Sequence, residues 1–139
     1  MKIREVMTQP VIRISADETV AVAARTLAHY NIGALPVCGS DGRLQGLVTD
    51  RDLVIRCIAA GRDPGLTKVW QIMSGSVIGI PPDIDTKAAA QIMGTRQIRR
   101  LPVLENEKLC GMVSLGDLTG TQADTGRALQ QITDNIRPG

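Results

Sequence analysis

The sequence is written twice. The stretch from VMT at 6–8 through GLVTDRDL at 46–53 returns as IMS at 72–74 through GMVSLGDL at 111–118. Leu-Pro-Val occurs at 35–37 and again at 101–103, and Met7, Ile14 and Ile32 are answered 66 residues later by Met73, Ile80 and Ile98. One residue is then lost, so Gly46 and Asp52 are answered by Gly111 and Asp117 at a spacing of 65. Two like units tend to pack about a pseudo-twofold axis, which brings equivalent surfaces together and forms paired clefts. A single copy would bury only about 60% of the surface its unfolded chain exposes, so one module built from both copies is expected. AAGRDPGLTK at 59–68 is rich enough in Gly and Pro to be the linker, giving subdomains over 1–62 and 63–139.

Within the first copy, Val20, Ala23, Ala24, Leu27 and Ala28 fall at helical spacing, with Asp17 upstream as a candidate cap. The counterpart helix carries Ala89, Ala90 and Met93, with Asp83 in the place of Asp17. ALPVC at 34–38 and LQGLVT at 44–49 read as a hairpin around GSDGR, repeated by LPVL at 101–104 and LCGMVS at 109–114 around ENEK. VIRIS at 11–15 and VIGIP at 77–81 are expected as leading strands, and helices are expected to begin near Asp50 and Leu115. Each copy therefore reads strand, helix, strand, strand, helix, an α+β arrangement in which helices cover one face of a sheet. From Asp124 to Ile136, Ala128, Leu129, Ile132 and Ile136 form one apolar side of a further helix, expected to dock on the module or on a second chain.

With 16 basic and 14 acidic residues, the formal charge of +2 is too small to argue for nucleic acid or an anionic membrane. Tyr30 and Trp70 are too few to build base-stacking platforms. No segment approaches the roughly 20 apolar residues of a membrane span, and MKIREVMTQP does not resemble a signal peptide. Cys38, Cys57 and Cys110 are odd in number and lack CxxC spacing, a pattern of reduced thiols in the cytoplasm. They read as small buried hydrophobes, as Met7 and Met73 read as packing residues. His29, the one histidine, has no partner nearby in sequence for a general-base or metal role. No activated nucleophile, paired catalytic carboxylates or Walker loop is present, so the chain does not read as an enzyme.

The sequence offers one chemical signature, and it occurs in both copies. Gly46, Thr49 and Asp52, and again Gly111, Ser114 and Asp117, place a glycine, a hydroxyl and a carboxylate where a strand gives way to a helix. A hydroxyl followed three residues later by an acid resembles a capping box. The same parts also suit a ligand: N–H groups at a helix start favour an anion, a carboxylate accepts both hydroxyls of a ribose, and glycine allows close approach. The two readings are compatible.

These motifs, the two LPV segments and the repeat order make the chain, from about Ile3 to Leu118, resemble the tandem CBS (cystathionine-β-synthase) domain pair, or Bateman module. GLVTDRDLVIRCIAAGRDP is similar to the small stand-alone bacterial members. The resemblance implies that Thr49 with Asp52, and Ser114 with Asp117, match positions that hold the ribose and phosphate of AMP, ADP, ATP or related adenosyl ligands. It further implies that Val77, Ile78, Arg99 and Arg100 complete the Thr49 and Asp52 cleft, whereas Val11, Ile12, Gly33 and Ala34 complete the Ser114 and Asp117 cleft. An arginine pair binds phosphate through charge-assisted bonds that backbone groups do not match, so the second cleft is expected to bind more weakly, to take a less charged ligand or to stay empty. Arg51 and Arg56, near the first entrance, read as a solvated helix face. The function implied is a homodimeric nucleotide sensor that signals to a protein partner in trans; no obligatory cofactor and no bound metal are expected, and the near-neutral charge argues against nucleic acid as a partner. A ligand-free dimeric interaction module is the competing reading.

Overall fold

The computed structural model describes residues 1–118. Helix α1 (Val20–Tyr30) leads into strands β1 (Ala34–Cys38) and β2 (Leu44–Thr49), and helix α2 (Asp50–Asp52) widens into a π-helical stretch over Leu53–Ile58. The second copy repeats this with α3 (Thr86–Arg96), β3 (Arg100–Glu105), β4 (Lys108–Ser114) and α4 (Leu115–Leu118). Each strand pair is an antiparallel hairpin, with Ala34 opposite Thr49 and Arg100 opposite Ser114 at the open ends. The candidate helix at 124–136 lies outside the described residues.

The described residues divide into two compact units, one continuous over Ile12–Val77 and one made of Met1–Val11 together with 78–118. Each unit thus contains the body of one copy and the opening segment of the other. In the split unit, Ile3 N–H donates to the Ile84 carbonyl and Thr86 N–H to that of Met1. In the continuous unit, Val69 N–H donates to Glu18 and Val20 N–H to Thr67. The latter bond, with Ala21 N–H to Pro64, satisfies donors that the first turn of a helix leaves without intrahelical partners. The segment expected as a linker is therefore packed against α1, and Thr67 within it is buried.

Helix ends correct two expectations. The cap of α1 is Thr19, whose Oγ1 accepts from Val22 N–H at 3.3 Å, and not Asp17. The cap of α3 is Asp85, accepting from Lys87 N–H at 2.9 Å, and not Asp83, which pairs with Arg4 at 2.6 Å. The capping N–H of Lys87 holds the Asp85 carboxyl below the usual range. Ala24 and Ala28, assigned to the apolar face of α1, are exposed, while Val20, Ala23 and Leu27 are buried. Alanine carries too little apolar area to fix a face.

The leading strands are also shorter than expected. Each shrinks to one parallel bridge, Ile14 with Val37 and Ile80 with Val103. Ile14 N–H donates to Pro36 and its carbonyl accepts from Cys38 N–H; Ile80 does the same with Pro102 and Leu104. The next rung of a parallel ladder would need an N–H from Pro36 or Pro102, which proline lacks. The LPV proline therefore stops each ladder on its N-terminal side, and Ile12 and Ile78 stay outside it.

One buried group stands out. Thr86 Oγ1 has no hydrogen-bond partner among the described residues, and Val20 occupies the matching place in α1. Thr86→Val removes a desolvated hydroxyl with little change of shape, so stability rises by about 1–2 kcal/mol. A higher urea midpoint at unchanged slope is the expected result, and a lower midpoint contradicts it.

Candidate functional site

Both hydroxyl and acid motifs form reciprocal capping boxes. Thr49 N–H donates to Asp52 Oδ2 at 2.9 Å while Thr49 Oγ1 accepts from Asp52 N–H at 3.1 Å. Ser114 and Asp117 repeat this at 2.8 and 3.2 Å. Each box engages only Oδ2 of the carboxylate and leaves the lone pairs of Oδ1 outside the cap. The Asp52 side chain is only 14% exposed, so its charge is held largely away from bulk water at the end of a hairpin.

The elements around each motif come from the same unit. Thr49 lies opposite Ala34 in the hairpin, Asp50 N–H donates to the Gly33 carbonyl at 3.1 Å, and Ile12 is half-buried against the same core. Val77 closes that unit in sequence. In the other unit, Arg100 lies opposite Ser114, Leu115 N–H donates to the Arg99 carbonyl at 2.7 Å, and Ile78 packs on the core. Val11 belongs there too. Residues directly opposite in an antiparallel pair project to one face, so Arg100 and Ser114 share a face, as do Ala34 and Thr49. Within a unit, the structure thus sets Arg100 opposite Ser114 with the Arg99 backbone bonded to Leu115, and sets Ala34 opposite Thr49 with the Gly33 backbone bonded to Asp50.

Gly46 and Gly111 have a packing role that the sequence reading missed. A Cβ on Gly46 would sit 2.7 Å from the Ser74 carbonyl oxygen and 2.8 Å from Met73 Sδ; one on Gly111 would sit 2.5 Å from Met7 Sδ. The opening segments lie on these glycines, held by Leu47 with Ser74 and by Thr8 with Met112 through paired backbone hydrogen bonds. The glycines thus accommodate methionines, and the signal was available in the matching positions of Met7 and Met73. Arg56 is likewise more than a solvated charge. Its Nε lies 3.7 Å from Asp52 Oδ1, and its Nη1 donates to the carbonyls of Ile72 at 3.2 Å and Met73 at 3.5 Å.

Comparison with known proteins fits this architecture. A CBS domain model matches residues 3–58 and again residues 69–124. The chain belongs to the CBS domain family. It is 37% identical over 132 residues to the CBS domain-containing protein YhcV of Bacillus subtilis, covering 95% of this chain and 93% of that one. It is 35% identical over 115 residues to hypoxic response protein 1 of Mycobacterium tuberculosis, covering 83% and 80%. The crystal structure of Hypoxic Response Protein I with two coordinated zinc ions matches with a TM-score of 0.78 at 33% identity, over 85% of this chain and 96% of that one. The CBS domain pair of protein MJ0100, in complex with 5′-methylthioadenosine and S-adenosyl-L-methionine, matches with a TM-score of 0.76 at 23% identity over 86% and 97%, a likeness of fold.

For this CBS pair, no group of three or more His, Cys, Asp or Glu side chains among the described residues is arranged to hold a metal. Cys38, Cys57 and Cys110 are free thiols. Burial pushes the Cys38 and Cys110 thiols up, which lowers their thiolate fraction and reactivity. No helix among the described residues is long and apolar enough to cross a membrane.

Proposed function

We propose that this CBS pair is a non-catalytic regulatory sensor that binds adenine nucleotides or related adenosyl ligands at its two hydroxyl and acid motifs and signals to a protein partner in trans. The observation that carries the reading is the half-used carboxylate: Asp52 and Asp117 each give Oδ2 to a cap, and Oδ1 has the acceptor capacity to take ribose hydroxyls. The fold of MJ0100, which holds 5′-methylthioadenosine and S-adenosyl-L-methionine, names the chemistry to try first. The hairpin register of Arg100 and the backbone bond from Leu115 N–H to Arg99 support giving both arginines to the Ser114 and Asp117 motif, in place of the Thr49 and Asp52 motif to which the family resemblance gave them. On that assignment the Ser114 motif prefers a phosphorylated ligand, and the Thr49 motif, beside Gly33 and Ala34, takes a less charged one.

Thermal denaturation with AMP, ADP, ATP, 5′-methylthioadenosine and S-adenosyl-L-methionine tests this. A ligand present at 100 times its dissociation constant stabilises the native state by about 2.7 kcal/mol, so at least one should raise the melting temperature by several degrees. No rise with any of them at millimolar concentration would favour the competing reading of a ligand-free interaction module. That alternative has its own support, because the caps are complete without a ligand.

Either reading includes a homodimer, supported by exposed Val54, Ile55 and Ile58, which recur at helical spacing after Asp52. Ile55→Asp with Ile58→Asp should convert a dimer to monomer in light scattering, and an unchanged mass would exclude this surface.

A further inference from the structure

We infer that Arg56 is a positioning residue that couples the Asp52 carboxylate to the segment running from Ile72 to Val77, an inference that rests on the proposed ligand site. The guanidinium spans two elements at once. On one side its Nε stands 3.7 Å from Asp52 Oδ1, the oxygen left outside the capping box. On the other its Nη1 donates to the carbonyls of Ile72 and Met73 at 3.2 and 3.5 Å. Met73 is the residue laid over Gly46, and Ser74 next to it exchanges backbone hydrogen bonds with Leu47, two residues before Thr49. Arg56 therefore closes a loop of contacts from acid to opening segment to strand and back to the acid's own capping partner.

The geometry assigns two consequences to this fork. The separation of 3.7 Å is an ion pair longer than a charge-assisted hydrogen bond of about 2.7–2.9 Å, so Arg56 orients Oδ1 without consuming its lone pairs. A ribose diol that donates to Oδ1 then meets an oxygen already aimed by the same guanidinium that anchors Ile72 and Met73. Occupancy at Asp52 is thereby felt at the segment leading to Val77, the differential contact that a two-state sensor needs. In the sequence of the second copy the matching position is Thr121, which has no guanidinium.

Arg56→Met keeps the length of the stem and removes the fork. In the ligand-free protein, amide hydrogen exchange at Leu47 and Ser74 should quicken on the order of tenfold, the loss expected for hydrogen bonds to a charged group. Exchange at Thr8 and Met112, the equivalent tie in the other unit, should not change and serves as the internal control. Unchanged exchange at Leu47 and Ser74, or equal acceleration at all four amides, would overturn the coupling. The second readout is the preference of the protein for adenosine over 2′,3′-dideoxyadenosine, which share a base and differ in the diol. Wild type should favour adenosine by about tenfold and Arg56→Met by about threefold or less. An undiminished preference would overturn the positioning role, because a general loss of stability would weaken both ligands alike. If wild type binds neither nucleoside, the proposed ligand reading at Asp52 fails, and the exchange measurement still decides whether Arg56 ties the segment.

Discussion

Gly46→Ala should lower stability by about 3 kcal/mol, at the upper end of the cost of overpacking a well-filled site. The added methyl would sit 2.7 Å from the Ser74 carbonyl oxygen, and that oxygen accepts from Leu47 N–H at 3.0 Å. Relief requires moving backbone and sacrificing part of the tie between the opening segment and β2. Gly111→Ala is the informative contrast. The three atoms nearest its methyl, Sδ, Cγ and Cβ, all belong to the Met7 side chain, and a methionine can swing aside, so a loss of about 1 kcal/mol is expected. Met7→Ala should offset the Gly111→Ala defect in a double variant, while Met73→Ala should leave most of the Gly46→Ala defect in place. Urea denaturation of the two cycles gives the comparison. Equal costs at the two glycines, or full rescue at both, would contradict the assignment of a backbone clash to one and a side-chain clash to the other.

Replacing Arg99 and Arg100 together by alanine should weaken AMP binding roughly tenfold to a hundredfold and leave adenosine binding unchanged. Both side chains are exposed, and the backbone at both positions is held within β3 and its bond to Leu115, so their removal leaves the hairpin intact. The loss therefore reads as phosphate recognition and not as misfolding. Combining the arginine changes with Asp117→Asn should give strong non-additivity, and combining them with Asp52→Asn should give simple additivity, because only the first pair acts on one ligand. Calorimetry with AMP and adenosine separates the cases. Unchanged AMP affinity in the arginine variant would remove both cations from the site, and coupling to Asp52 would return them to the Thr49 motif.

The repeat, both hairpins and both long helices were legible because each rests on a local pattern: a matched spacing, two apolar runs around turn residues, or apolar positions at helical period. What was lost depends on partners distant in the chain. The leading strands looked like strands by composition, yet their N-terminal extension is stopped by the missing N–H of Pro36 and Pro102, more than 20 residues away. The caps were misassigned by two residues because Asp17 and Thr19, like Asp83 and Asp85, are both acceptable capping types, and only geometry chooses between them. Ala24 is exposed and its counterpart Ala90 buried, a difference no pattern of small residues encodes. The repeat showed that Met7 and Met73 match, but homology between copies does not say which body an opening segment binds. At the candidate site, the capping box was readable from Thr49 with Asp52 and from Ser114 with Asp117, since it is a contact across three residues. Arg56 stands four residues after Asp52, a spacing that brings side chains together on a helix, and its second set of partners at Ile72 and Met73 was out of reach of local pattern.

The most direct measurement is a calorimetric titration of AMP into the wild-type chain and into the double variant Asp52→Asn, Asp117→Asn. Asparagine retains an oxygen to accept from Thr49 or Ser114 N–H, so the caps survive while the charge that would hold the ribose hydroxyls is gone. The account predicts saturable binding by wild type and a loss of at least about tenfold in the variant, with a melting temperature close to that of wild type. Equal AMP affinity in the two proteins would show that the carboxylates only cap helices, and the sensor reading would be wrong.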